Sequence, residues 1–168
     1  MRNADYWIKK LGLKRHPEGG YFKYFKETYR SHEVILKHAL PARFSSDRVL
    51  STCIYFLLNK TDFSAFHAIQ QDEVWHFYEG SFLTIHIIDQ KGEYTAAKLG
   101  RNIENGESFQ VAVPAGCWFA AAVKNTDSYS LVGCTVAPGF DFADFKMADQ
   151  NNLVELYPEH RDIIEKYT

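Results

Sequence analysis

Between Val49 and Ala137 the chain breaks into about eight short runs rich in β-branched and aromatic residues, with turn residues at the joins. The runs are Ser51 to Leu58, two within Asp62 to Gly80, Phe82 to Asp89, Tyr94 to Leu99, Phe109 to Val113, Trp118 to Lys124 and Ser130 to Ala137. Gln90-Lys91-Gly92, Gly100 to Gly106, Pro114-Ala115-Gly116 and Asn125-Thr126-Asp127 separate the later ones. Short strands at near-regular spacing predict an all-β sandwich or barrel. No helical pattern lies between them, which argues against βαβ units; neither GxGxxG nor GxxxxGK[ST] is present.

The flanks read differently. Asn3 to Leu13 is predicted helical, with Asn3 as N-cap and Tyr6, Trp7, Lys10 and Leu11 at helical spacing. His16-Pro17-Glu18-Gly19-Gly20 is a turn, Tyr21 to Arg30 an aromatic strand, and Ser31 to Asp47 mostly loop. Pro138 to Phe142 is a turn. From Asp144 onward the tail reads helical, with Leu153, Leu156, Ile163 and Ile164 as its apolar positions and Pro158 opening the last helix. The expectation is one domain over 1–168: helix and strand at 3–30, barrel at 49–137, helical tail at 144–168.

Composition narrows the function classes. An apolar fraction of 46% with 13 Phe, 10 Tyr and 3 Trp describes a folded chain. A formal charge of −2, with Lys and Arg dispersed, leaves no basic footprint, so no nucleic-acid partner is expected. No apolar run reaches membrane-spanning length and the amino end lacks a signal-peptide core, so no membrane association is expected either. Cys53, Cys117 and Cys134 each sit in an apolar run and are expected to be buried, reduced thiols of a cytoplasmic protein.

Asp62 to Gly80, DFSAFHAIQQDEVWHFYEG, concentrates the chemistry. Read as strand, turn and strand, it sets Phe63, Ala65, His67 and Ile69 on one face, and Glu73, Trp75 and Phe77 on one face of its partner. If both faces look inward, His67 and Glu73 meet in an aromatic-walled pocket. Burial would raise the Glu73 pKa while a protonated His67 would lower it, so the pair could move protons. His76 falls on the opposite parity. Glu73-xx-His76 resembles half of a di-iron carboxylate helix motif, but neither a helix nor a second copy is evident.

The spacing His67-x-Ile69-xxx-Glu73-xxxxxx-Gly80 resembles the first motif of the cupin superfamily, and Gly106 to Gly116 resembles the second, with a Gly-to-Pro gap two residues longer than that pattern. HPEGGYF, IYFLL, DEVWHFYEG, VPAGCW, LVGCTVAPGF and the Leu-x(3)-Tyr-Pro near the end resemble, in order, one narrower cupin family without a settled activity. The resemblance implies a jelly-roll barrel (a double-stranded β-helix), usually dimeric and similar in shape to sugar-nucleotide epimerases and seed-storage cupins. A metal-dependent cupin normally uses three His and one Glu. Here Ile69 and Phe119 stand at two of those positions, so the standard metal site is dismantled.

The sequence therefore points to a homodimeric cupin binding or transforming a small polar metabolite, of carbohydrate-like type, without a tightly held metal. His67 and Glu73 are the candidate catalytic residues; Trp75, Phe77, Gln110 and Phe119 are the candidate ligand contacts. Two rivals stand beside it. One is a metalloenzyme whose remodelled site holds a divalent metal on His67, Glu73 and either His76 or a residue from another strand. The other is a non-catalytic interaction domain using the Tyr21 to Tyr29 strand as a partner or dimer surface. His16 and Glu18 are explained by their turn, with a site contribution open.

Overall fold

The computed structural model describes residues 2–124 and 128–168, so the turn expected at Asn125-Thr126-Asp127 lies outside the described residues. Eight strands of four or more residues are present among them: β1 (Thr52–Asn59), β2 (Phe63–Ala68), β3 (Asp72–Gly80), β4 (Leu83–Ile88), β5 (Tyr94–Leu99), β6 (Gln110–Val113), β7 (Trp118–Val123) and β8 (Tyr129–Ala137). They form two sheets, one ordered β1-β8-β3-β6 and the other β5-β4-β7-β2. All long-strand pairs are antiparallel, and this order is that of a jelly roll. Two-residue strands extend the edges, Tyr21–Phe22 beside β1 and Lys146–Met147 beside β2.

Period-two alternation fills the space between the sheets. Phe56, Leu58, Trp75, Leu83, Ile85, Phe119 and Val132 pack there as the main core. A second cluster covers the outer face of the β2 sheet, where Phe66, Ile88 and Ala120 meet Leu153, Val154, Ile164 and Tyr167 of the C-terminal segment. Its helices are α3 (Gln150–Leu156), capped by Asp149, and α4 (Arg161–Lys166), which follows the short Pro158–His160 turn of 3₁₀ helix. Leu156 departs from expectation and lies exposed, because Leu153 and Val154 already face the sheet. At the other end, α1 (Ala4–Leu11), capped by Asn3 as expected, packs Trp7 and Ile8 near Leu57 and Leu131.

Tyr21 to Arg30 is not one strand. It divides into Tyr21–Phe22, the one-turn helix α2 (Phe25–Thr28) and Tyr29–Arg30, the two short strands both pairing with β1. The break lets Phe25 turn inward to bury its ring, which an uninterrupted edge strand could not do at that point. The Tyr21 to Tyr29 stretch expected as a partner or dimer surface is therefore not one continuous strand.

A buried ion pair anchors the segment after β8. Arg48 donates from Nε and Nη2 to both Asp144 carboxylate oxygens at 2.7 and 2.6 Å, and Gln71 Nε2 donates to the same carboxylate at 2.6 Å. These contacts fix the turn that carries Phe140, Phe142 and Phe145.

Candidate functional site

The chemical groups of the site come from the N-terminal turn and three barrel strands, β2, β3 and β8. In His16-Pro17-Glu18-Gly19-Gly20 the His16 N–H donates to the Gly20 carbonyl at 3.1 Å, and the Ala65 N–H donates to the Glu18 carbonyl at 2.8 Å, stitching the turn to β2. Gly19 and Gly20 adopt φ of +112° and +69°. A Cβ on Gly19 would collide with the Phe63 carbonyl, so only glycine lets the turn approach β2 this closely.

That approach carries the Glu18 side chain into the barrel. Its Oε2 lies 3.2 Å from His67 Nε2 and 3.5 Å from His16 Nδ1, and its Oε1 accepts from Ser64 Oγ at 2.8 Å. His67 Nδ1 is 2.8 Å from the Ala65 carbonyl. A carbonyl only accepts, so Nδ1 carries the proton and Nε2 of the neutral ring is left to accept from Glu18. The pair thus shares one labile proton. Burial holds the Glu18 carboxyl above its usual range and brings His67 down to about 4; burial also lowers His16.

Glu73 projects from β3 into the same cavity. It is 8% exposed, and burial, reinforced by the neighbouring Glu18 charge, pushes it up to about 8. The Cys134 thiol of β8 is in hydrogen-bonding reach, and burial pushes that thiol up as well. At neutral pH the cavity therefore holds a protonated carboxyl, a neutral imidazole and an unreactive thiol.

Around them stand Phe22, Tyr24, Phe25, Phe56, Phe140, Phe142 and Phe145, with Thr52, Ile54, Ile69 and Val136. The cavity has a volume of about 40 Å³ and is partly open to solvent. One water needs roughly 10–15 Å³ by that measure, so the cavity is a narrow slot for a few small groups.

The expected site residues divide sharply. His67 and Glu73 both line the cavity, yet the partner of His67 is Glu18 of the HPEGG turn and not Glu73. Trp75 and Phe119 are 1% exposed and pack behind the site, Phe119 against the His67 ring at 4.1 Å and Trp75 against Phe56 at 5.6 Å. Phe77 lies further along β3, partly buried against the main core. Gln110 is exposed on the outer face, where its Nε2 donates to His76 Nδ1 at 3.2 Å. His76 in turn lies 3.0 Å from Thr135 Oγ1, so it does not converge with His67 and Glu73. Its parity decides this, since β3 carries no bulge that would re-aim it inward at that point.

A divalent metal fits this donor set poorly. Ile69 and Phe119 supply no ligand atoms, His76 faces away, and His67 is committed to Glu18. Among the described residues no three His, Cys, Asp or Glu side chains form a group that could hold a metal ion. The cysteines are free, as expected, with Cys117 and Cys134 buried and Cys53 partly so. No helix among the described residues is long and apolar enough to cross a membrane.

Comparison with known proteins agrees with this architecture. A protein from Shewanella oneidensis, SO0799, superposes with a TM-score of 0.87 at 42% identity, over 100% of this chain and 98% of that one. A hypothetical protein from Leishmania major gives 0.87 at 34% identity, over 99% of each. In Saccharomyces cerevisiae the uncharacterized protein YML079W is 30% identical over 151 residues, 79% of this chain and 68% of that protein. Oxalate decarboxylase from Bacillus subtilis shares the fold alone, with a TM-score of 0.52 at 12% identity over 88% of this chain and 38% of that one. The sequence profile described as Cupin superfamily (DUF985) matches residues 5–148, and the chain belongs to that family.

Proposed function

We propose that the protein binds a small metabolite in the aromatic slot and exchanges a proton with it, Glu73 acting as donor and the His67–Glu18 pair as acceptor. The observation that carries this reading is the placement of two buried carboxyl groups and two imidazoles around one solvent-connected cavity. Their environments push the acid up and the base down, so both are uncharged near neutrality and each is ready for the opposite half of a proton transfer. The aromatic walls exclude water and hold the ligand by its apolar faces. The slot is too narrow for a sugar lying flat, so a carbohydrate-like ligand would enter end-on. The chemistry requires no tightly held metal.

In this reading the protein works in the cytoplasm, consistent with its free thiols, and as a homodimer. Exposed Tyr78, Ile103 and Phe109 on the outer side of the β3–β6 edge supply an apolar surface for a second copy.

A thermal-shift screen against small metabolites tests the pocket, because a ligand that binds only the native state raises its apparent stability. A hit whose shift disappears in Glu73→Gln and His67→Ala supports the reading. A hit that stabilises both variants as well as the parent protein defeats it.

A further inference from the structure

We infer that the group seated at the base of this slot is a small organic ammonium, with Glu73 as its counter-ion and the phenylalanine rings as its walls. The inference rests on the proposed pocket and assigns the charge of what enters it; with that ligand Glu73 serves as counter-ion in place of proton donor.

Three features converge. First, the cavity brings together carboxyl groups from separate elements, Glu18 from the N-terminal turn and Glu73 from β3, while no Lys or Arg is among its described lining residues. Second, Glu18 is already engaged by Ser64 and His67, whereas Glu73 has the Cys134 thiol, a weak donor. Glu73 is the carboxyl with capacity left for a ligand. Third, the walls are ring faces and edges. Phe22, Phe56, Phe140, Phe142 and Phe145 surround the slot, and edge-to-face contacts such as His16–Phe22 at 4.4 Å and Phe140–Phe142 at 5.0 Å fix them in place.

Aromatic faces attract a desolvated cation through their quadrupoles, hold a neutral hydroxyl only weakly and repel an anion placed over them. A buried carboxylate adds a full opposite charge. Neither imidazole opposes the cation, since burial keeps both rings neutral. The exchange also balances. Without a ligand, Glu73 keeps its proton; when the ammonium enters, that proton leaves to solvent and the ion pair takes its place, so the cavity stays neutral overall. The few water-sized positions in the slot match an ammonium with its methyl or methylene substituents, and the remainder of the ligand would extend through the mouth.

Three probes of one shape decide it: choline, its uncharged isostere neohexyl alcohol, and the anion tert-butylacetate, titrated calorimetrically into the full chain at pH 7. The expected result is that choline binds, that proton release approaches one per ligand when buffers of different ionisation enthalpy are compared, and that Glu73→Gln weakens binding about tenfold or more. Glu18→Gln provides a second variant should Glu73→Gln fold poorly, with a smaller loss expected. Binding of the alcohol or the anion as tightly as choline overturns the cation assignment and leaves the pocket reading intact. Binding of none of the three, together with no hit in the metabolite screen, overturns both.

Discussion

Glu18 Oε2 lies 3.2 Å from His67 Nε2, joining the N-terminal turn to β2 through one buried, shared proton. The contact ties the turn to the barrel and gives the buried imidazole nitrogen that faces the cavity its partner. Glu18→Ala would strand Ser64 Oγ and His67 Nε2 without their partner, and a loss of about 1–3 kcal/mol is expected in urea unfolding. In a double-mutant cycle with His67→Ala the two losses should be non-additive by about 0.5 kcal/mol or more. Simple additivity would show that the contact does not form in solution.

Stability should depend on pH in opposite senses on the two sides of neutrality. His67 and His86 titrate near 6.5 when unfolded but near 4 in the fold, so their contribution is lost as pH falls from 6.5 through 4. Glu73 moves from 4.5 to about 8, so the stability from its retained proton is complete below pH 4.5 and is lost as pH rises through 8. The shifts of His16 and Glu18 oppose one another in sign. The maximum should fall near pH 6.5, with a decline of about 2 kcal/mol towards pH 8. Glu73→Gln should make that alkaline limb shallower, with the raised Glu18 carboxyl supplying what remains, and leave the acid limb in place, as unfolding midpoints across pH would reveal.

Asp144 is expected to be indispensable to the wall of the slot. Asp144→Ala leaves the Arg48 guanidinium buried without its counter-ion, held only by Ser46 and the Asp47 carbonyl, at a cost of about 3–5 kcal/mol. Replacing both partners with apolar residues should recover much of that loss. A single variant as stable as the parent protein would mean that the guanidinium finds water or another acceptor.

Gly19→Ala should be harmful although no ligand contact is removed. The residue sits at φ +112° and its added methyl would meet the Phe63 backbone carbonyl. Expected are a loss above about 2 kcal/mol and weakened binding at the slot, because Glu18 would be displaced along with the turn. Unchanged melting and binding would contradict the proposed role of this turn.

Gln110→Ala supplies the complementary case. The side chain is exposed and contacts His76 on the outer face, so stability should change by no more than about 0.5 kcal/mol and metabolite binding should be unaffected. A loss of binding would mean that the ligand occupies the outer groove near His76 and Phe109 instead.

Local pattern alone settled a good deal here. The runs from Ser51 to Ala137 located the long strands to within a few residues, and period-two parity set His67 and Glu73 inward with His76 outward, because successive strand side chains must alternate. Gln110, expected as a ligand contact, falls instead on the outer face, since Val111 and Val113 of its strand face the core. Turn residues and an N-cap likewise fixed α1 and the HPEGG bend, as their signals lie within a few positions of what they specify. What only the tertiary structure decided was partnership. Glu18 reaches His67 because two left-handed glycines fold its turn against β2, and Phe140, Phe142 and Phe145 close the slot because Arg48 holds Asp144 from far along the chain. Contacts between distant segments depend on how whole sheets pack, and no window of sequence contains both members of the pair.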